Sequence, residues 1–276
     1  RLELGGVALA PDQVHRRRGG IVAARGLREI LEDHTVIFPE ERSTSLKDMD
    51  KQWATKLGLF QAAREVVTEL TERGFTAANL AVKDGAGAGQ PVEHVHVHVV
   101  PRRPGDLAEN DEVYNLIDHW TPRPSPAMNM PPPLELPADD QRRKRTLADM
   151  ATEAAGYHRI AARGVGCGTL PGSDEHVEFG PFQLDPGQVF FASPSGLSLA
   201  IVNLKPLVPG HVLVIPRRRV PRLVDLRVDE EEDLWTTVFQ VQATMAEAHG
   251  AASFNIGVQD GKDAGQSVPH VHVHIL

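Results

Sequence analysis

The sequence contains little cysteine and no long apolar segment. Cys167 is the one cysteine in 276 residues, which excludes an internal disulfide bond and fits a reducing compartment. Every apolar run falls well short of the roughly 18 residues that a membrane-spanning helix needs. No secretory signal pattern is visible at the start of the sequence. These features predict a cytoplasmic protein, with a nuclear location also open, and no membrane partner.

Positive charge is also scarce. Lys and Arg number 29 against 37 Asp and Glu, which gives a net charge of −8 at pH 7. That balance argues against nucleic acid as a partner, although a small pocket for a phosphorylated ligand remains compatible with it. Hydrophobic residues at 41% and charged residues at 24% are ordinary for a globular chain, and the length predicts about two domains.

A tandem repeat explains that length. Residues 90–99 (QPVEHVHVHV) return as 266–275 (QSVPHVHVHI) at an offset of 176, and 34–39 (HTVIFP) matches 211–216 (HVLVIP) at an offset of 177. Near the front, Leu4 and Leu9 match Phe179 and Leu184 at an offset of 175. An ordered series of matches with nearly constant offset indicates a duplication with short loop insertions.

The repeat predicts the domain boundaries. The first domain spans 1–163 and includes a proline-rich loop at 121–137 and a C-terminal helix. Seven prolines in that loop predict an extended or disordered segment. A glycine-rich linker at 164–175 leads to the second domain, 176–276. The basic run Arg142 to Arg145 is predicted to be a solvated helix end rather than a nucleic-acid patch, because acidic residues stand beside it.

Periodicity predicts an α+β fold, with an antiparallel sheet and a long helix in each domain. Strands are expected near 197–202, 211–215, 254–258 and 268–276, and long helices over 48–73 and 229–249. Asp-Gly at 84–85 and at 260–261 predicts hairpin turns. The predicted C-terminal helix of the first domain would bury Leu147, Met150, Ala151, Ala154 and Ala155.

Three alternating histidines carry the chemistry. His270, His272 and His274 would share one face of a strand, with roughly 7 Å between neighbouring side chains. Such a row could bind zinc. It could instead place a neutral imidazole as a nucleophile against phosphorus, with its neighbours managing the protons. The nearby amides of Gln259 and Gln266 favour phosphoryl or nucleotidyl transfer, because they add neutral donors for an anionic phosphorus centre.

These residues resemble a known family. The sequence HVHVH at 270–274 is similar to the signature of the histidine triad superfamily. The segments NLKPLVPGH at 203–211 and QDGKDAGQ at 259–266 resemble the fragile histidine triad branch, the dinucleoside polyphosphate hydrolases. Residues 101–114 and the helix that follows the proline-rich loop resemble the tail of that branch. The resemblance covers nearly the whole chain.

The resemblance implies a nucleotidyl-histidine mechanism on diadenosine tri- or tetraphosphate. His272 would attack the α-phosphorus and His274 would assist the leaving group, while His270 and His211 orient the nucleophile and its neighbours. Gln266 and Gln259 would hold phosphates, and Asn203 would bond the ribose. The base pocket would be walled by Phe179, Leu184, Ile201 and Leu213. No tightly bound cofactor is expected, only a divalent cation (Mg or Mn) arriving with the substrate.

Other functions stay open at this point. Another branch of the superfamily could hydrolyse nucleoside phosphoramidates or cap pyrophosphates, or transfer nucleotides. A nucleotide sensor without turnover is a further alternative. The histidine at the third triad position, in both repeats, favours hydrolysis over transfer within the resemblance.

The first repeat departs from the pattern. It keeps a second set of site residues: His94, His96, His98, Gln90 and His34, with Lys83 in place of Gln259. Gly26 stands where Asn203 stands, so the first repeat lacks a side chain for the ribose. We therefore expect a weakened or inactive first site and a catalytic second one.

The duplication also predicts how the repeats associate. Family members are two-fold dimers whose sheets join edge to edge, so two fused copies would form an intramolecular pseudo-dimer. The tail of the first copy, 101–114, would then lie over the site of the second. The chain would be a monomer or a dimer of chains in solution.

Overall fold

The computed structural model describes residues 2–122, 141–164 and 166–276. Most of the predicted proline-rich loop, 121–137, lies outside the described residues. The helices are α1 (Trp53–Glu72), α2 (Glu112–Asp118), α3 (Leu147–Gly164) and α4 (Val228–His249). The strands are β1 (Glu3–Leu4), β2 (Val7–Ala8), β3 (Val14–Arg18), β4 (Ile21–Ala24), β5 (Thr35–Pro39), β6 (Ala77–Asp84), β7 (Val97–Arg102), β8 (Val177–Phe179), β9 (Phe182–Leu184), β10 (Val189–Ala192), β11 (Ser198–Val202), β12 (Val212–Pro216), β13 (Phe254–Asp260) and β14 (Val273–Ile275).

The chain divides into two compact units that do not follow the boundaries predicted from the repeat. The first unit contains Arg1–Pro133 and Ser253–Ser267, and the second contains Leu134–Ala252 and Val268–Leu276. Helix α3, predicted to close the first domain, packs against α4 and β10 of the second unit. Strand β13, predicted within the second domain, pairs with β6 of the first unit. Helix α3 buries its apolar face in the second unit, and β13 completes its backbone hydrogen bonds in the first.

In the first unit the strands lie in the order β3-β4-β5-β7-β6-β13, and every pair is antiparallel. Helix α1 covers this sheet and contacts β4, β5, β6 and β7. Its apolar positions recur every three or four residues, so Leu59, Phe60, Ala63, Val66 and Leu70 are buried together. The hairpin of β1 and β2 precedes the sheet.

The pairing of β6 with β13 joins strands from the two repeats. Asn79 lies opposite Gln259, and Lys83 lies opposite Asn255. In the repeat alignment Asn79 corresponds to Asn255 and Lys83 to Gln259, so the antiparallel pair is symmetric between the copies. The edge-to-edge joining implied by the family resemblance is therefore present within one chain, and it leaves neither strand edge unpaired.

The second unit repeats this architecture with four strands, β10-β11-β12-β14, all antiparallel. Helix α4 contacts β11, β12 and β14, while α3 contacts β10 and β11. The α+β class and the antiparallel sheets predicted from the sequence are confirmed.

Three local predictions are wrong. Strand β14 begins at Val273, later than the predicted start at 268, because the N–H of Val271 bonds the carbonyl of Val220 outside the sheet. Asp84-Gly85 and Asp260-Gly261 do not form hairpin turns. Each leads into a short 3₁₀ turn, and a glutamine amide oxygen accepts the glycine N–H.

Helix α3 buries Met150 and Ala154 as predicted, but the rest of its buried face differs from the prediction. Leu147, with 56% of its surface exposed, and Ala155 face solvent. The buried positions are Met150, Ala154, Tyr157 and Ala161, which recur at three- and four-residue intervals. The Tyr157 ring packs on Phe190 of β10 at 5.4 Å, so the apolar stripe continues toward the helix C-terminus. None of the described helices is both long and apolar enough to span a membrane.

Candidate active site

His272 is held in one tautomer by its own strand. Its Nδ1 lies 2.7 Å from the backbone oxygen of His270. A carbonyl oxygen can only accept a hydrogen bond, so Nδ1 carries the proton and Nε2 keeps its lone pair. No described residue hydrogen-bonds Nε2, and 3% of the residue is exposed. His272 therefore presents a nucleophilic nitrogen of fixed direction.

A relay of hydrogen bonds orients His274. The backbone N–H of Leu207 donates to Nδ1 of His211 at 3.1 Å, which leaves the His211 proton on Nε2. That nitrogen donates to Nδ1 of His274 at 2.9 Å. A neutral His274 then carries its proton on Nε2, a buried atom with no hydrogen-bond partner among the described residues. This N–H is a donor suited to a phosphoryl or leaving-group oxygen.

His270 has a different role from the other two triad members. Its Nδ1 accepts the N–H of Gly180 at 3.0 Å, and its Nε2 donates to the carbonyl of Pro216 at 2.8 Å. Because both ring nitrogens are hydrogen-bonded, the His270 imidazole connects its own segment to those of Gly180 and Pro216. Its backbone oxygen, rather than its ring, contacts the nucleophile.

The histidines are closer together than an extended strand predicts. The ring centroids of His272 and His274 are 5.0 Å apart, and those of His211 and His274 are 5.1 Å apart. The expected even row of three rings with about 7 Å spacing is therefore wrong. His270 and His272 precede β14, so regular strand geometry does not apply to them. The rings of His211, His272 and His274 form one compact cluster.

Burial keeps these imidazoles neutral near pH 7. Removal from water disfavours the charged form and lowers the pKa of His211 and of His270 to about 4. Burial also lowers the pKa of His272 and, more strongly, of His274. Only an unprotonated imidazole has a lone pair for attack, so the environment favours the nucleophilic form of His272.

The predicted walls of the base pocket lie together. Phe179, Ile201 and Leu213 belong to one buried apolar cluster of the second unit, and Leu184 packs against it. The Phe179 ring meets the His272 ring edge to face at 5.3 Å. The His272 ring therefore borders a buried apolar cluster, and a role of these residues in binding a base stays a prediction.

Asn203 lies beside the histidine relay. Its Oδ1 accepts the N–H of Lys205 at 2.9 Å, and its Nδ2 lies 3.2 Å from Nε2 of His211. Gln259 and Gln266, predicted to hold phosphates, belong to the first unit. The Tyr114 hydroxyl hydrogen-bonds Gln259, and Oε1 of Gln266 accepts the N–H of Gly261 at 3.0 Å. Their roles toward a substrate stay predictions.

The basic run before α3 is a solvated helix end only in part: Arg143 and Lys144 are exposed, as predicted, whereas Arg142 and Arg145 are half-buried. Arg145 donates from Nε to the backbone oxygen of Asn203 at 2.9 Å and pairs with Glu153. Arg142 donates to the backbone oxygen of Lys205, and its charge adds to the lowering of the pKa of His211 and His274. The sequence could not reveal this contact, because Arg145 and Asn203 are 58 positions apart in the chain.

The first repeat reproduces the same bonds. Nδ1 of His96 lies 2.7 Å from the backbone oxygen of His94, and Nε2 of His34 lies 3.0 Å from Nδ1 of His98. Oε1 of Gln90 accepts the N–H of Gly85 at 2.6 Å. Burial lowers the pKa of His96 to about 4 and that of His34 to about 3. Lys83 is paired with Asp118 at the end of α2.

Among residues 2–122, 141–164 and 166–276, no group of three or more His, Cys, Asp or Glu side chains is arranged as a metal site. The Nδ1 atoms of His270, His272 and His274 all have hydrogen-bond partners, so an ion could be bound only through Nε2 atoms of the last two.

Comparison with known proteins agrees with this geometry. The HIT domain profile matches residues 10–105 and again 186–276. Over 98 residues the chain is 55% identical to the bifunctional bis(5'-adenosyl)-triphosphatase/adenylylsulfatase of Arabidopsis thaliana, covering 36% of this chain and 53% of that protein. Over 89 residues it is 58% identical to the asymmetrical bis(5'-nucleosyl)-tetraphosphatase of Schizosaccharomyces pombe, covering 32% and 48%. The chain thus spans about half the length of these curated relatives.

A solved structure shares the fold over most of the chain. The ADP-glucose phosphorylase of Arabidopsis thaliana superposes with a TM-score of 0.51 and 12% identity, covering 93% of this chain and 71% of that one. The repeated histidine motif, its tautomer-setting bonds and the two profile matches lead to one conclusion: the chain belongs to the HIT domain family, contains two copies of the domain, and is similar in sequence to the fragile histidine triad branch.

Proposed function

We propose that the histidine cluster of the second unit hydrolyses dinucleoside polyphosphates, such as diadenosine tri- or tetraphosphate, to a nucleoside monophosphate and a nucleoside di- or triphosphate. The main support is the fixed tautomer of His272, which leaves the Nε2 lone pair available, on a ring that packs against Phe179 of the apolar cluster. The names of the relatives from Arabidopsis thaliana and Schizosaccharomyces pombe support the same substrate class.

The reaction would proceed in two displacements. Nε2 of His272 attacks the α-phosphorus, a P–N bond forms, and the P–O bond to the departing nucleoside di- or triphosphate breaks. The N–H of His274 Nε2 hydrogen-bonds the phosphoryl and leaving oxygens as charge develops there. Water then attacks the same phosphorus, the P–N bond breaks, and the nucleoside monophosphate leaves with the water oxygen.

A divalent cation, Mg or Mn, would arrive with the substrate and neutralise part of its phosphate charge. We propose no tightly bound cofactor, a cytoplasmic location and one chain per particle. The free thiol of Cys167 and the β6–β13 pairing within the chain support the last two points. A solution mass near 30.1 kDa would support the single-chain particle, and twice that value would contradict it.

Product analysis with matched variants tests the proposed reaction. His272→Asn should lower the hydrolysis of diadenosine triphosphate and tetraphosphate at least about 1,000-fold, as loss of a covalent nucleophile does. His96→Asn removes the equivalent ring of the first repeat and should leave turnover within a factor of two. Acid-labile label from a radioactive dinucleotide should appear on His272. Undiminished turnover in His272→Asn, or label on another side chain, would contradict the proposal.

A further inference from the structure

Trp120 occupies a place in the first repeat that the sequence did not single out. The residue lies two positions beyond α2 and is 2% exposed. Its indole contacts all three histidines of the first cluster, with centroid distances of 5.4 Å to His96, 4.7 Å to His98 and 6.0 Å to His34. Its Nε1–H donates to the backbone oxygens of Leu27 and Arg28, both at 3.0 Å.

The surroundings of the indole are the counterpart of the predicted base pocket. Trp120 belongs to a buried cluster with Leu4, Leu9, Ala24 and Val36. In the repeat alignment these positions correspond to Phe179, Leu184, Ile201 and Leu213, respectively. Three of the four are smaller in the first repeat, which gives space for a bicyclic ring in a close-packed interior.

The indole covers the first site. Leu27, whose backbone oxygen accepts the indole N–H, is 3% exposed. His98 is fully buried. Nε2 of His96, the atom equivalent to the proposed nucleophile, is sealed from solvent and has no hydrogen-bond partner among the described residues.

The same segment also occupies the charged end of the first site. Lys83 corresponds to Gln259, which is predicted to hold phosphate. Lys83 is 6% exposed. Asp118, at the end of α2 and two residues before Trp120, forms an ion pair with it. A buried lysine needs a compensating anion, and the carboxylate supplies what a phosphate would otherwise supply.

We infer that residues 118–120 fill the first site as an internal substitute for a nucleotide, with the Trp120 indole in place of the base and the Asp118 carboxylate in place of a phosphate. The inference rests on the proposed nucleotide chemistry of the second unit. It explains how the first repeat can keep every histidine bond without turning over substrate. The intact pocket is a latent binding site for a purine-sized aromatic ring, closed by the chain itself.

Titration of the parent chain with AMP, followed by calorimetry, gives the first test. One AMP per chain is expected, and two sites of comparable affinity would overturn the inference. Trp120→Ala should open a second, weaker site for AMP, and free adenine or indole should raise its melting temperature by several degrees. Trp120→Phe should keep one site, because the smaller ring still fills the pocket. Trp53→Ala is the matched control, since that tryptophan is 39% exposed and lies outside the cluster.

The fold of Trp120→Ala is verified by circular dichroism. If the folded variant binds one AMP, and adenine and indole do not raise its melting temperature, the inference is also overturned. If Trp120→Ala does not fold, two other measurements test the inference. They are the number of AMP sites in the parent and in Trp120→Phe, and the histidine on which nucleotidyl label appears. Label on His96 of the parent contradicts a closed first site. Absence of hydrolysis by the parent would instead contradict the proposed function, and it would not alter the count of AMP sites.

Discussion

Nδ1 of His272 lies 2.7 Å from the backbone oxygen of His270, and the same bond, also 2.7 Å, joins His96 to His94 in the first repeat. Both repeats therefore present the middle imidazole in the same tautomer. Outside the triad, Trp120 borders the histidine rings of the first repeat, and Asn203 lies beside His211 in the second unit. A triad motif alone is thus a poor measure of whether a repeat is active.

Substitution of His270 tests its positioning role. His270→Asn removes the bridge between Gly180 and Pro216, so we expect a loss of about 2 kcal/mol in the free energy of unfolding. The backbone carbonyl that orients His272 would lose its anchor, and kcat should fall more than tenfold with little change in KM. Urea unfolding and initial rates measure the two effects.

His94→Asn is the matched control, because His94 bonds the carbonyl of Pro39 in the same way. It should lower stability without changing kcat. Equal losses of kcat in the two variants would contradict a specific link between His270 and the nucleophile.

The pH dependence of turnover follows from burial. Because burial lowers the pKa of His272 from its ordinary value of about 6.5, more than half of the rings are neutral at that pH. We expect kcat to fall by less than half between pH 8 and 6.5, the pH at which an exposed imidazole would be half protonated and the rate halved. A twofold fall in kcat between pH 8 and 6.5 would show that the nucleophile titrates normally.

Burial of the histidines also makes the free energy of unfolding depend on pH. In the unfolded chain the pKa of His211 is about 6.5, and in the folded protein it is about 4. Between these values the unfolded state binds more protons, so the free energy of unfolding decreases as pH falls from about 6.5 toward 4. Chemical unfolding in that window should show a shallower slope for His211→Gln, by at most about 1.4 kcal/mol per pH unit. Identical slopes would mean that His211 is not buried as a neutral ring.

Asn203 and Gly26 offer an exchange experiment. Asn203→Gly removes the amide beside His211 and should raise KM about 10- to 100-fold, as loss of a substrate hydrogen bond does. Gly26→Asn is sterically permitted, because the nearest side-chain atom to a new Cβ is 3.9 Å away and asparagine tolerates the left-handed φ of +70°. It should create no second active site while Trp120 remains. Turnover in a His272→Asn, Gly26→Asn double variant would contradict this expectation.

Arg145 is predicted to hold Asn203 in place. Arg145→Gln weakens the bond to the Asn203 backbone oxygen and breaks the ion pair with Glu153, so KM should rise about tenfold. Arg143→Gln changes an exposed residue of the same basic run and should alter KM less than twofold. Similar KM values for both variants would mean that general positive charge, rather than the position of Arg145, matters.

Most elements were accessible from the sequence because their signals are local. The period of α1 and α4 and the alternation of valine with histidine depend on neighbouring residues within one helix or strand. The repeat was found by comparing two distant segments letter by letter, which also needs no tertiary contact. The boundary of β14 was missed because a contact from Val220 ends the extended run at Val271. The spacing of the histidine rings was missed for the same reason, since it depends on where regular strand geometry starts.

By itself, the sequence determined that this chain is a duplicated α+β protein with two complete histidine motifs. Only the tertiary structure decided which helix and strand each unit contains, that Arg145 reaches Asn203, and that Trp120 fills the first pocket. Trp120 bonds carbonyls 92 and 93 residues earlier in the chain, and no periodicity records such a contact. Long-range contacts depend on the complementary shapes of surfaces that exist only after the chain has folded, so the closure of the first site by Trp120 could not be read from the motif.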